Sequence, residues 1–256
     1  MTEWVELPAL LGLLSLDVSA VGQFMISRPI VVGPLVGFFL GYPTLGLEMG
    51  ALIEIIWIGD LPVGAHLPID IMMLAGISTA FACELASQGQ YPPEAVMTYA
   101  IGVCIPLAAL STEAEMFLRK VHVRWMHFGQ KLLASGHTRS FGLLNLAVLL
   151  ELFAKGFLMA LGGLFVAHLT GRLFFMFPDK VIEGLYYSYW LLLALGCSAV
   201  IDLIVERKTV IYLVLSIVTF MILAIFLQIQ GIYLVGIALL AGFLLSLFLM
   251  RQGEAH

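Results

Sequence analysis

Apolar residues fill this chain in long blocks, and the blocks change character near residue 90. Beyond it, apolar runs occupy about 94–117, 141–168, 181–205, 209–229 and 231–250. Each is long enough to cross a hydrocarbon layer of about 30 Å as a helix, which takes roughly 20 residues. Before residue 90 the blocks are shorter, at about 8–26, 29–42, 44–58 and 71–87, and prolines punctuate them at 29, 34, 43, 62 and 68. Interrupted blocks of this kind predict broken or re-entrant helices, which membranes tolerate only where protein or a water-filled cavity surrounds the backbone. The pattern therefore predicts an all-α polytopic membrane bundle, with short broken or re-entrant hairpin helices in its N-terminal part. One integral-membrane domain is expected over residues 1–256.

Glycines sharpen the N-terminal reading. Gly33, Gly37 and Gly41 recur every four residues, and Gly46 and Gly50 repeat the step after Tyr42-Pro43. Four-residue spacing gathers each set on one helix face, where a neighbouring backbone can approach closely.

Composition removes the soluble alternatives. Of 256 residues, 61% are hydrophobic and only 11% charged, with a mean hydropathy of +1.05, which leaves no room for a soluble catalytic domain. The opening "MTEWVELPALLGLLSLDVSA" lacks a basic leader region and a small-residue cleavage site, so it is expected to remain in the mature protein. Cys83, Cys104 and Cys197 all lie in apolar segments without CxxC spacing and read as small buried residues. No phosphate loop, catalytic motif or metal-ligand cluster is apparent, so no catalytic residue, cofactor or metal is expected, and nothing suggests nucleic acid.

Charge sets the orientation. Between the first two long apolar runs lies a basic connection, 119–140, holding Arg119, Lys120, Arg124, Lys131 and Arg139. The positive-inside rule makes it cytoplasmic. Alternation then puts the tail on the same side. Within the connection Val121, Trp125, Phe128 and Leu132 recur at helical spacing, the pattern of an interfacial amphipathic helix on membrane lipid, or of a docking face.

Polarity concentrates in "EIIWIGDLPVGAHLPID", Glu54 to Asp70. Carboxylates at membrane depth are costly and normally face a cavity, a partner or a pathway. An ionised Glu54 can accept hydroxyl hydrogens from a polyol, and Trp57 can cover a sugar's C–H face; a structural ion pair for Glu54 remains an equal alternative. Pro62 and Pro68 forbid one continuous helix. Asp70 stands where the next helix begins and suits either an N-cap or a ligand. His66 and Asp60 are further candidates for a polar pocket.

The run from Gly22 to Asp70 carries a resemblance. Arg28-Pro29, the glycines at 33, 37, 41, 46 and 50, Glu54 followed by Gly59 and Gly64, and the closing Pro68-Ile69-Asp70 resemble the signature of the IIC subunit of the mannose/fructose/sorbose family of bacterial phosphotransferase-system sugar permeases. Beyond residue 90 the likeness is one of hydropathy. The resemblance implies a multi-pass protein of the bacterial cytoplasmic (inner) membrane that moves a hexose or amino sugar inward. It implies a hetero-oligomer with a IID membrane subunit and cytoplasmic IIA and IIB phosphocarriers, phosphorylation by IIB, and no phosphohistidine in this chain. It also implies an elevator-like transporter, and a sugar site expected among Glu54, Asp70, His66, Trp57 and Asp60. Without the resemblance, an ion- or proton-coupled secondary transporter, or a non-transporting membrane partner of the same fold, fits the intramembrane carboxylates equally well.

Overall fold

The structure, a computed structural model, describes residues 3–60, 68–89, 91–135 and 138–204. The expected spans 209–229 and 231–250, the C-terminal tail and His66 lie outside the described residues. The chain divides into two compact units, Met1–Val200 and Ile201–His256, and the core described below belongs to the first.

The described residues form helices and no strands. α1 covers Glu3–Ser19, α2 Pro29–Phe39, α3 Pro43–Ile56, α4 Ile71–Ala86, α5 Pro93–Ala134, α6 Thr138–Phe174 and α7 Asp179–Ile204. Proline starts three of them: Pro29, Pro43 and Pro93 occupy first-turn positions, where a missing N–H costs nothing and φ is already helical. At 1.5 Å per residue, α2 and α3 are about 16 and 21 Å long, too short to cross the hydrocarbon layer alone. They fold back on each other as a hairpin. Among the described residues, α5, α6 and α7 carry stretches long and apolar enough to span: Pro93–Lys131, Gly142–Phe174 and Asp179–Leu203.

Glycine makes the hairpin possible. A Cβ on Gly37 would stand 2.8 Å from the Gly46 Cα, and one on Gly33 2.7 Å from the Gly50 Cα, so the two glycine pairs face each other backbone to backbone. Gly41 departs from the expected packing series. It turns the chain between the helices at φ +83°, with open space where its Cβ would be, and only glycine enters that region without cost.

α4 is the buried centre. Its residues from Met72 to Cys83 are all buried, as is Leu85, and it packs against α2, α3, α5 and α6. The basic connection is helical as far as Ala134, because α5 continues without a break beyond its apolar half.

Candidate functional site

Three helices bring charge to one end of α4. Asp70 caps that helix, its Oδ1 accepting from the Met73 N–H at 3.1 Å. Its other oxygen faces away from the cap. Oδ2 accepts from Ser111 Oγ at 2.6 Å and from Lys155 Nζ at 3.2 Å. The Asp70 N–H donates to Thr112 Oγ1 at 2.9 Å. Lys155 Nζ lies 3.3 Å from Glu115 Oε2, and Glu115 Oε1 is 3.5 Å from Arg119 Nε. Asp70 of α4, Ser111, Thr112, Glu115 and Arg119 of α5, and Lys155 of α6 thus form one chain of alternating charge. The Lys155, Asp70 and Glu115 side chains are only 10%, 14% and 17% exposed, a depth at which an ionised group needs the partners it has here.

All of these but the fully buried Ser111 line a cavity of about 980 Å³, within the range of small-molecule sites. Its wall also includes Gln23, Ser27, Arg28, Asp60, His122 and Asn145. Arg28 is held from one side by Glu54. The Arg28 guanidinium donates to Glu54 Oε1, through Nε at 2.8 Å and also through a terminal nitrogen, and the Ile30 N–H lies 3.3 Å from Oε2. The loop before Arg28 is braced by buried Asp17, whose carboxylate accepts from the Phe24 N–H at 2.7 Å, the Ser27 N–H at 3.1 Å and Ser27 Oγ at 2.9 Å. Within that loop Gln23 and Met25 take left-handed backbone, φ +50° and +63°. His122 Nε2 approaches Glu151 Oε2 to 3.4 Å without hydrogen-bond alignment.

The expected residues distribute unevenly around this cavity. Asp70 and Asp60 are in its wall. Glu54 is not, and reaches the wall through Arg28. Trp57 closes α3, its N–H donating to the Ile53 carbonyl at 3.2 Å, and its side chain packs on the apolar core. Lys155, Glu115 and Ser111 escaped the sequence reading. Lys155 carried a signal all the same: a lone base in "LLELFAKGFLMA" is an intramembrane ionisable group and deserved a partner search. Among the described residues no cluster suited to a metal ion occurs.

A family model described as the PTS system sorbose-specific IIC component matches residues 7–246. The chain belongs to this family. The mannose-specific EIIC component of the phosphotransferase system of Escherichia coli K12 is 25% identical over 190 residues, covering 72% of this chain and 67% of that one. Among solved structures, one described as a membrane protein superposes with a TM-score of 0.71 at 19% identity, over 98% of this chain and 96% of the other. A complex of the mannose transporter ManYZ with microcin E492 gives a TM-score of 0.55 at 21% identity, over 98% and 96%. Both carry the same all-helical fold. The chain is accordingly a multi-pass inner-membrane sugar permease component of a phosphotransferase system, of the kind that works beside a IID membrane subunit.

Proposed function

We propose that the chamber between α4, α5 and α6 holds the sugar on its way to phosphorylation, and that Asp70 is its principal ligand, with Asp60 and Arg28 in the same wall. Glu54 is then the residue that positions Arg28; Trp57 and His66 stay in the proposal as residues of the sequence between α3 and α4. The observation that carries the reading is the charged chain Asp70–Lys155–Glu115 lining a cavity, with Ser111 bonded to Asp70 behind it. A hexose offers hydroxyls that both donate and accept, so it can insert into alternating carboxylates and ammonium groups without leaving a charge unpaired. No side chain here needs to do chemistry on the sugar.

The basic half of α5 supports a sidedness. By the positive-inside rule it is cytoplasmic, and the Arg119–Glu115–Lys155–Asp70 chain begins on it. The chamber is thus the inward end of the pathway, within reach of a cytoplasmic IIB phosphocarrier charged by IIA. The whole chain acts as one permease, with the hairpin-bearing part moving in an elevator-like manner inside a hetero-oligomer with IID.

The test uses membrane vesicles containing this chain and its IID partner, with ion gradients collapsed. Phosphoenolpyruvate and the soluble phosphotransferase proteins are supplied on the cytoplasmic side. Sugar phosphate should accumulate. Uptake that stops with the gradients and yields no phosphorylated sugar would instead mark an ion-coupled carrier.

A further inference from the structure

α4 carries the same device at both ends. Asp70 at its start pairs with Lys155 of α6, and Glu84, near its finish, pairs with His168 of α6. The two carboxylates are separated by 14 positions and the two bases by 13, so α4 and α6 run parallel in matched register, with the pairs about 20 Å apart. Between them a Cβ on Gly163 would meet the Ile77 side chain, and just past His168 one on Gly171 would stand 3.2 Å from the Phe81 ring. Ile77 and Phe81 are fully buried. The two pairs are thus joined by close packing of α4 on α6.

At the far end lies a second cavity, of about 400 Å³. Glu84, His168, Ser87 and Tyr42 give it a carboxylate, an imidazole, two hydroxyls and an aromatic face, against apolar Leu40 and Leu164. Among its described lining residues there is no lysine or arginine, so the set suits a neutral polyhydroxyl compound and not a phosphorylated one. Stability does not account for the pair. Each partner's side chain is 41% exposed, and ion pairs at such exposure contribute little.

We propose that this cavity is an outward sugar station, the place where unphosphorylated sugar is first held before it reaches the chamber around Asp70. The inference rests on the sugar-permease reading and adds a second binding site to it.

Ser87 sits in the cavity wall and is exposed, which makes Ser87→Cys a direct reporter; Leu164→Cys on the facing wall is an independent second. Of the native thiols, Cys104 is buried, and Cys83, which lines this cavity, and exposed Cys197 are replaced by alanine. Intact cells expressing the full complex are treated with an impermeant maleimide, with and without mannose, and with sorbose and fructose as further probes. Labelling from outside should occur, and the transported sugar should slow it several-fold. Glu84→Gln should remove that protection and raise the uptake KM about tenfold, the scale of one charge-assisted hydrogen bond. Labelling at both reporters that ignores saturating sugar, in a complex that still makes sugar phosphate, overturns the outward station and leaves the permease reading intact. Labelling only from the cytoplasmic face overturns it too, as does a Glu84→Gln complex that assembles poorly with an unchanged KM. A wild-type complex that makes no sugar phosphate overturns the permease reading, and this inference with it.

Discussion

Lys155 holds two carboxylates apart in a space where neither has much water. Removing its charge leaves Asp70 and Glu115 facing each other across the gap that its ammonium filled, and breaking a buried pair in this way costs about 3–5 kcal/mol. Lys155→Met should therefore lower the thermal stability of the purified complex sharply. The double variant Lys155→Met/Glu115→Gln relieves the repulsion and should recover much of that loss without recovering sugar affinity, so the two measurements together separate scaffold from ligand. Asp70→Asn makes the complementary cut. Asparagine caps helices as well as aspartate, so α4 should keep its start while sugar affinity, measured by isothermal titration, falls about one to two orders of magnitude. Asp70 was legible in the sequence because capping is local and the residue precedes an apolar run. Its partners were not, since Ser111 and Lys155 lie 41 and 85 positions away and a single sequence holds no signal for such pairings. Glu54 shows the same limit. Its depth and charge were readable, but its partner Arg28 had to be found in space.

The α2–α3 hairpin is governed by backbone contact. The Gly46 Cβ position lies 2.8 Å from the Gly37 Cα and closer still to the Gly33 carbonyl oxygen, and backbone does not move aside as a side-chain tip does. Gly46→Val should then destabilise the hairpin by about 1–3 kcal/mol or more, the cost of overpacking, read as a lower melting temperature and less assembled protein. Gly59→Ala has open space around it and serves as the control expected to change little. Four-residue spacing announced the packing faces in advance. It did not announce that the two glycine sets pack on each other, nor that Gly41 leaves its series to make the turn, because periodicity names a face and not what covers it.

Over the whole molecule, length and charge together set the level of the chamber in the membrane. α5 has 42 residues, about 63 Å of helix, against a hydrocarbon layer of about 30 Å. Its apolar half begins at Pro93 and its basic half at Arg119, so the surplus must leave on the basic side. α6 returns alongside it, with Lys155 opposite Glu115 and Glu151 opposite His122. The chamber therefore sits where α5 turns from apolar to charged, close to the membrane boundary on the basic side. Among the described residues, the apolar runs that α5, α6 and α7 carry were legible because hydropathy acts over tens of residues, and the lysine/arginine bias adds an expected orientation. The unbroken run of α5 through the basic connection was less so, since a charged stretch between apolar blocks reads equally well as a loop or a surface helix. Gln130, exposed on the basic half of α5, tests the level and the side at once. In cells carrying Gln130→Cys with Cys197 replaced by alanine, an impermeant maleimide should fail to label from outside and should label fast in inverted vesicles. Rapid labelling of intact cells would reverse the orientation and put the Asp70 chamber on the outer face. Slow labelling from both sides would mean that the basic half is buried in lipid or in a partner subunit, and the chamber would then lie deeper than the helix lengths imply.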